Sequence, residues 1–246
     1  MSVRFLRSCL SGIFFFLYGS VSLLFAGIIP VLALVPGSLN RLIILCYKMF
    51  VGLAHITGLF RVTVHGDLSK VRGKIVVMNH LSLIDVVILM SKLPDSTCIV
   101  KEAASKNFFY SKIVNSMFLL ATEDPVKTLK RVKGLIEKGT NLIIFPEGTR
   151  IPASAKVHKL QRGAARLALE SGADILPIHQ RLVPAILAKG QPWWDVGDKI
   201  IRYDLYVKDV IEVKGEANHK NAARLTAEIA ERILHRDVAF PKVNVI

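Results

Sequence analysis

Two short runs in this chain carry residue types whose spacing could do chemistry. The first, Met78-Asn79-His80-Leu81-Ser82-Leu83-Ile84-Asp85, ends an apolar stretch in an imidazole with a carboxylate five residues further on. An aspartate bonded to one ring nitrogen fixes the imidazole tautomer and stabilises the imidazolium formed when the other nitrogen takes a proton. Such a pair serves as a general base without any serine or cysteine, provided that the nucleophile is a hydroxyl on the substrate. Ser82 and Asp85 also fit a capping box, with Ser82 as helix N-cap and the acid at the third helical position. The second run is Phe145-Pro146-Glu147-Gly148-Thr149-Arg150. Pro146 and Gly148 suit a turn. The Arg150 guanidinium is a planar donor fork for phosphate, and backbone amides around Gly148 could hold an anion. Glu147 and Arg150 could equally form an ordinary ion pair.

These runs need elements to hold them. Leading into the first, "KIVVMN" is a continuous apolar, β-branched run, as in a strand buried on both faces, and "NLIIF" before Pro146 is another. "FRVTVHG" alternates as a strand, with Gly66 as its stop. "LSLIDVVILMSKL" is expected to be a short helix, "STCIVKE" a strand, and residues 105–121 a helix. "VKTLKRVKGLIEKG" reads as an amphipathic helix closed by Gly139. "KLQRGAARLALESG" follows as a helix, "DILPI" as a strand, "KIIRYDLYV" as an edge strand and "NAARLTAEIAERIL" as a closing helix. The alternation predicts an α/β domain with a mixed, largely parallel sheet flanked by helices. Both polar runs then lie beyond the carboxyl ends of strands, where ligands of open α/β sheets sit.

Composition narrows the setting. Lys and Arg number 33 against 19 Asp and Glu, a net charge of +14, and 52% of residues are hydrophobic. The charge favours an anionic partner. The hydrophobicity selects a membrane surface over nucleic acid. From Ser8 to Asn40 there is no charged residue, more than the roughly 20 residues that one bilayer span needs. Pro30 and Pro36 are expected to break this helix. The second apolar stretch, "LNRLIILCYKMFVGLAHITGLF", carries Arg41 and Lys48 and suits a helix at the interface with its cations snorkelling outward. Two arrangements fit: a full crossing followed by a surface helix, or a hairpin that enters one leaflet and returns, which we favour. Residues 1–59 are thus expected to form a membrane-associated helical segment and residues 60–246 the α/β domain. Cys9, Cys46 and Cys98 are scattered, which indicates neither zinc nor disulfides.

The order and spacing of the two polar runs carry a resemblance. Asn79-His80 with Asp85, followed about sixty residues later by the Phe145–Arg150 run and then by Ile175-Leu176-Pro177-Ile178, resembles the glycerolipid acyltransferase family of lysophosphatidate-acyltransferase type, over roughly residues 60–210. The apolar amino-terminal region is similar to that family's membrane anchor. The resemblance implies a membrane-bound O-acyltransferase of phospholipid biosynthesis. Its donor would be acyl-CoA or acyl-carrier protein, a co-substrate rather than a cofactor, and its acceptor a lysophospholipid such as 1-acylglycerol 3-phosphate. His80 and Asp85 would be catalytic, and Asn79, Glu147, Gly148, Thr149 and Arg150 would bind substrate. Apart from the resemblance, Lys101 is a further candidate for holding an anionic substrate. No metal, redox cofactor or nucleic acid is implied. The implied location is the inner (cytoplasmic) membrane, with the catalytic domain facing the cytoplasm. One stretch departs from the family pattern. The family's second block typically places an arginine after an apolar strand, whereas this chain has Ala121-Thr122-Glu123-Asp124. That leaves open the same chemistry on a non-phosphate acceptor, such as an aminoacyl lipid, a glycolipid or a hydroxylated acyl chain. Two other classes are a non-catalytic lipid-binding scaffold and a metal-dependent hydrolase.

Overall fold

The computed structural model describes residues 3–32, 38–106, 111–122, 124–151, 159–187, 196–234 and 244–245. Two helices lead, α1 (Val3–Leu32) and α2 (Ser38–Ile56). α1 runs through Pro30 and ends two residues later, whereas Pro36 lies outside the described residues. At 30 residues α1 is about 45 Å long. α2 contains a window, Leu39–Ile56, long and apolar enough to cross a bilayer by length and composition. Its inward face is Ile43, Ile44, Tyr47, Phe50, Val51 and Ala54, all buried.

The remaining elements in order are β1 (Phe60–His65), β2 (Ile75–Met78), α3 (Asp85–Lys92), β3 (Ser96–Val100), α4 (Glu102–Ser105), α5 (Ser111–Met117), β4 (Leu119–Leu120), α6 (Pro125–Glu137), β5 (Asn141–Ile144), β6 (Lys159–Leu160), α7 (Gly163–Ser171), β7 (Ile175–Val183), β8 (Ile201–Val207), α8 (His219–Ile233) and β9 (Asn244–Val245). Seven strands form one sheet in the order β1-β8-β7-β2-β5-β3-β4, while β6 and β9 pair separately. Every neighbour in the large sheet is parallel except β7 with β8. β8 is therefore interior, not the edge strand that its alternating pattern predicts. β1 takes the edge and pairs with β8 over six residues, Phe60↔Ile201 to His65↔Tyr206. The stretch 105–121 also divides, into α5 and the short β4, rather than forming one helix.

The sheet separates two apolar cores. One packs α2, α3 and Phe14 of α1 against Val76, Met78, Ile143, Phe145, Ile178 and Tyr203. The other packs α6, α7 and α8 against Ile75, Val77, Leu142, Ile144 and Ile175. β2 contributes to both because all four of its residues are fully buried, as its β-branched run predicts. Aromatic contacts tie the leading helices to the sheet: Phe14 to Phe50 (4.5 Å between centroids), Phe50 to Phe60 (6.1 Å) and Phe60 to Tyr203 (5.6 Å). The Tyr203 hydroxyl then donates to Ser82 Oγ at 3.0 Å, beside the first polar run.

Candidate active site

β2 stops at Met78, and the chain turns sharply because one carboxylate gathers the amides that follow. Asp85 Oδ2 accepts from Leu81 N (2.7 Å) and Ser82 N (2.8 Å), and lies 2.8 Å from His80 Nδ1. Its other oxygen accepts from Gln180 Nε2 at 2.8 Å. Asp85 is fully buried, while the His80 side chain is 18% exposed. Four donors converge on this buried acid and satisfy it without an adjacent Lys or Arg. The arrangement keeps one arm of the expected capping box, Ser82 N donating to Asp85, while Ser82 Oγ accepts from Tyr203 instead of from a helix amide. α3 starts at Asp85 with Ile84 as N-cap and no side-chain cap bond, because the acid is turned back onto the strand end. With Nδ1 held by Asp85, Nε2 is the nitrogen left to act on a substrate.

The second run forms a turn directly beneath the ring. Phe145 stacks on His80 with centroids 4.3 Å apart. His80 N donates to Glu147 Oε1 at 3.3 Å, and Ile151 N donates to His80 O at 2.8 Å. Gly148 adopts φ +64°, a conformation that favours glycine. A Cβ there would also lie 2.9 Å from Gln161 Nε2, so any side chain would displace that amide. Glu147 is buried, and burial pushes its carboxyl up to about 8, with the Asp85 charge acting in the same direction against two backbone hydrogen bonds. At neutral pH it therefore carries a proton and adds no negative charge to the turn. Arg150 does not pair with it. Arg150 Nη1 donates to Leu187 O at 2.9 Å, and Leu83 N donates to the same carbonyl at 3.2 Å.

A cleft of about 730 Å³ opens where these runs meet. His80, Gly148, Thr149, Arg150 and Lys101 line it, together with the apolar side chains of Ile99, Val100, Phe145 and Leu167. Of the candidate site residues, Asn79, Asp85 and Glu147 are not in its lining, and all three are buried. Asn79 is 2% exposed. Its amide clasps the Gln180 backbone, donating to Gln180 O (2.9 Å) and accepting from Gln180 N (2.6 Å), so it braces the end of β2 against β7. Gln180 is the residue that reading the sequence missed. It lies just past the Ile175–Ile178 block, and no local pattern links it to an aspartate 95 residues away. In the second block, Asp124 caps α6 by accepting from Lys127 N at 2.9 Å, while Ala121, Pro125 and Thr128 line the cleft. The Asp124 carboxylate thus caps the helix and is not in the lining of the cleft.

The other histidines lie elsewhere. His179 is buried with Nδ1 2.6 Å from Ile233 O. His55, His65 and His219 are exposed, whereas His158, His235, Glu123 and the Gln191–Asp195 run lie outside the described residues. The cations of α6 (Lys127, Lys130, Arg131 and Lys133) face solvent. Among the described residues, no three His, Cys, Asp or Glu side chains converge as metal ligands.

Residues 61–181 match the family model described as Acyltransferase. This region is an acyltransferase-family domain. The match begins in β1 and ends in β7, and so contains both polar runs and the strands that carry them. Among curated proteins, the acyltransferase domain is similar to the 1-acyl-sn-glycerol-3-phosphate acyltransferase of Helicobacter pylori, 32% identical over 112 residues (43% of this chain, 47% of that protein). It is also similar to the protein of the same name from Cocos nucifera, 25% identical over 141 residues (50% of this chain, 44% of that one). The chain thus spans about half the length of these relatives. Its fold is that of the crystal structure of the 1-acyl-sn-glycerophosphate acyltransferase PlsC from Thermotoga maritima, with a TM-score of 0.68 at 20% identity over 93% of this chain and 95% of that one. That likeness extends beyond the acyltransferase domain to most of the chain.

Proposed function

We propose that the chain is a membrane-bound O-acyltransferase that moves a fatty acyl group from a thioester, acyl-CoA or acyl-carrier protein, to a hydroxyl of a lysophospholipid such as 1-acylglycerol 3-phosphate. The observation that carries this reading is the 2.8 Å contact between His80 Nδ1 and the buried Asp85, at a cleft that also exposes Thr149 and Arg150. The acceptor hydroxyl gives its proton to His80 Nε2 as its oxygen attacks the thioester carbonyl carbon. Asp85 stabilises the resulting imidazolium. The tetrahedral intermediate collapses, the C–S bond breaks, and the leaving thiolate takes the proton back from His80. An ester and a free thiol are formed, and the enzyme is unchanged. No electrons or phosphoryl groups move, so the reaction calls for no redox or phosphoryl-transfer cofactor.

The leading helices supply the membrane contact in this reading. Leu45 (52% exposed), Met49 (66%), Leu53 and Ile56 (83%) recur at helical spacing on the outer side of α2, and Phe5, Leu6, Ile13, Phe16 and Leu17 are exposed on α1. A row of large apolar side chains of this extent belongs in a lipid phase. Arg41 and Lys48, also exposed on α2, reach the headgroups, which supports insertion into one leaflet. The reading takes that leaflet to be the inner face of the cytoplasmic membrane, with the acyltransferase domain in the cytoplasm.

The full chain in phosphatidylcholine vesicles, given acyl-CoA and 1-acylglycerol 3-phosphate, is expected to release one thiol for each new ester. Thiol titration and lipid mass spectrometry measure the two products. Thiol release accompanied only by free fatty acid would make the chain a thioesterase and contradict the reading.

A further inference from the structure

We infer that Arg166, on the outward side of α7, is a cation that holds a phosphate group in the cleft. This inference rests on the acyl-transfer reading and names the group that its site recognises.

Among the described residues, Ala121, Pro125 and Thr128 of the second block line the cleft, as do Gly163, Ala164, Arg166 and Leu167 of α7. The second-block residues offer a hydroxyl but no cation. α7 brings Arg166 into the same cleft as His80. The cations of the described lining are Lys101, Arg150 and Arg166. Arg150 has Nη1 committed to the Leu187 carbonyl. Arg166 is exposed, and among the described residues its guanidinium has neither a hydrogen bond nor an ion pair. Room for a ligand exists beside it, because Gly163, one turn earlier, has no atom within 4 Å of where a Cβ would stand. Among the described residues the acid in the lining is Glu170, one turn further along α7; it does not pair with Arg166, and its charge opposes an anion bound there.

A guanidinium fork in a cleft that Thr128 and Thr149 also line matches a phosphate better than it matches a zwitterionic or uncharged head group. Arg166 and Glu170 also line a second cavity of about 240 Å³ with Asn218 and His219. Both substrates of the proposed reaction can bring a phosphate, the acceptor as its head group and acyl-CoA in its nucleotide arm.

The test compares wild type with Arg166→Gln, Arg166→Lys and Glu170→Gln in steady-state kinetics. The acceptors are 1-acylglycerol 3-phosphate and uncharged 1-acylglycerol, and the donors are acyl-CoA and the phosphate-free acyl N-acetylcysteamine thioester. Losing one charge-assisted contact is expected to raise KM for the phosphate-bearing substrate about 10- to 100-fold in Arg166→Gln. Arg166→Lys recovers part of that loss, and Glu170→Gln lowers the same KM several-fold. A rise confined to 1-acylglycerol 3-phosphate assigns the site to the acceptor, and a rise confined to acyl-CoA assigns it to the donor. Either outcome supports a phosphate site at Arg166. The inhibition constant of glycerol 3-phosphate gives a second reading that does not depend on turnover of the uncharged acceptor. Unchanged constants throughout, or equal changes for charged and uncharged substrates, would overturn the inference while leaving the acyl-transfer reading intact. Absence of transfer by the wild type with every pair of substrates would instead overturn that parent reading.

Discussion

Asp85→Asn is expected to lower kcat for acyl transfer by about 10³- to 10⁴-fold while the fold survives. The hydrogen-bond geometry explains why the two effects separate. The carbonyl of the introduced amide can take the place of Oδ2 and still accept from Leu81 N, Ser82 N and His80 Nδ1. Its nitrogen then meets the Gln180 side-chain amide, which in the wild type donates to the acid. Gln180 can turn over to accept, since its Oε1 has no hydrogen-bond partner among the described residues. Every contact is kept except the charge, and the charge is what stabilises the imidazolium after His80 has taken the hydroxyl proton. Kinetics at saturating donor and acceptor measure the loss, and near-ultraviolet circular dichroism confirms the fold. A fall in kcat of less than about tenfold would show that Asp85 only shapes the turn.

The second large effect is on stability against pH, and it isolates Glu147. Its folded-state value, about 8, lies above the ordinary carboxyl value of 4.5, chiefly through burial. Over the intervening range the native state holds a proton that the unfolded chain has released, so stability falls as pH rises. The contribution is complete below about pH 4.5 and is lost by the time pH passes about 8. At roughly 1.4 kcal/mol per pKa unit, the whole range amounts to about 5 kcal/mol. Glu147→Gln keeps an acceptor for His80 N and has no proton to lose. The gap between variant and wild type should therefore change in favour of the variant from about pH 5 to about pH 9. Urea denaturation at several pH values measures this gap. A constant difference across the range would mean that Glu147 is not held neutral.

The parts of the fold that depend on neighbours in sequence were readable from the residues. The β-branched runs before Asn79 and Pro146 form buried strands, and α6 ends where Gly139 adopts φ +84°. The two polar runs meet at one cleft because β2 and β5 are adjacent parallel strands with the register Val77↔Ile144. What could not be read depends on distant partners. β8 looks like an edge strand by its alternation, but β1, far earlier in the chain, covers its free side. Ser82 and Asp85 spell a capping box, yet strand-end amides, His80 and Gln180 compete for the same carboxylate and displace the helix start. Asn79 belongs to the motif by its neighbour His80, but its bonds to Gln180 make it a brace. Nothing in the sequence around Arg166 points to the cleft that it lines.

The central claim is that His80 removes the acceptor proton, and His80→Ala with imidazole rescue tests it most directly. Truncation should leave a space beside Phe145 and cost at least about 10²- to 10³-fold in kcat. Added imidazole should restore part of the lost rate, with a pH dependence that follows the neutral form of the added base. A variant that transfers acyl groups at close to the wild-type rate, with or without imidazole, would contradict the account.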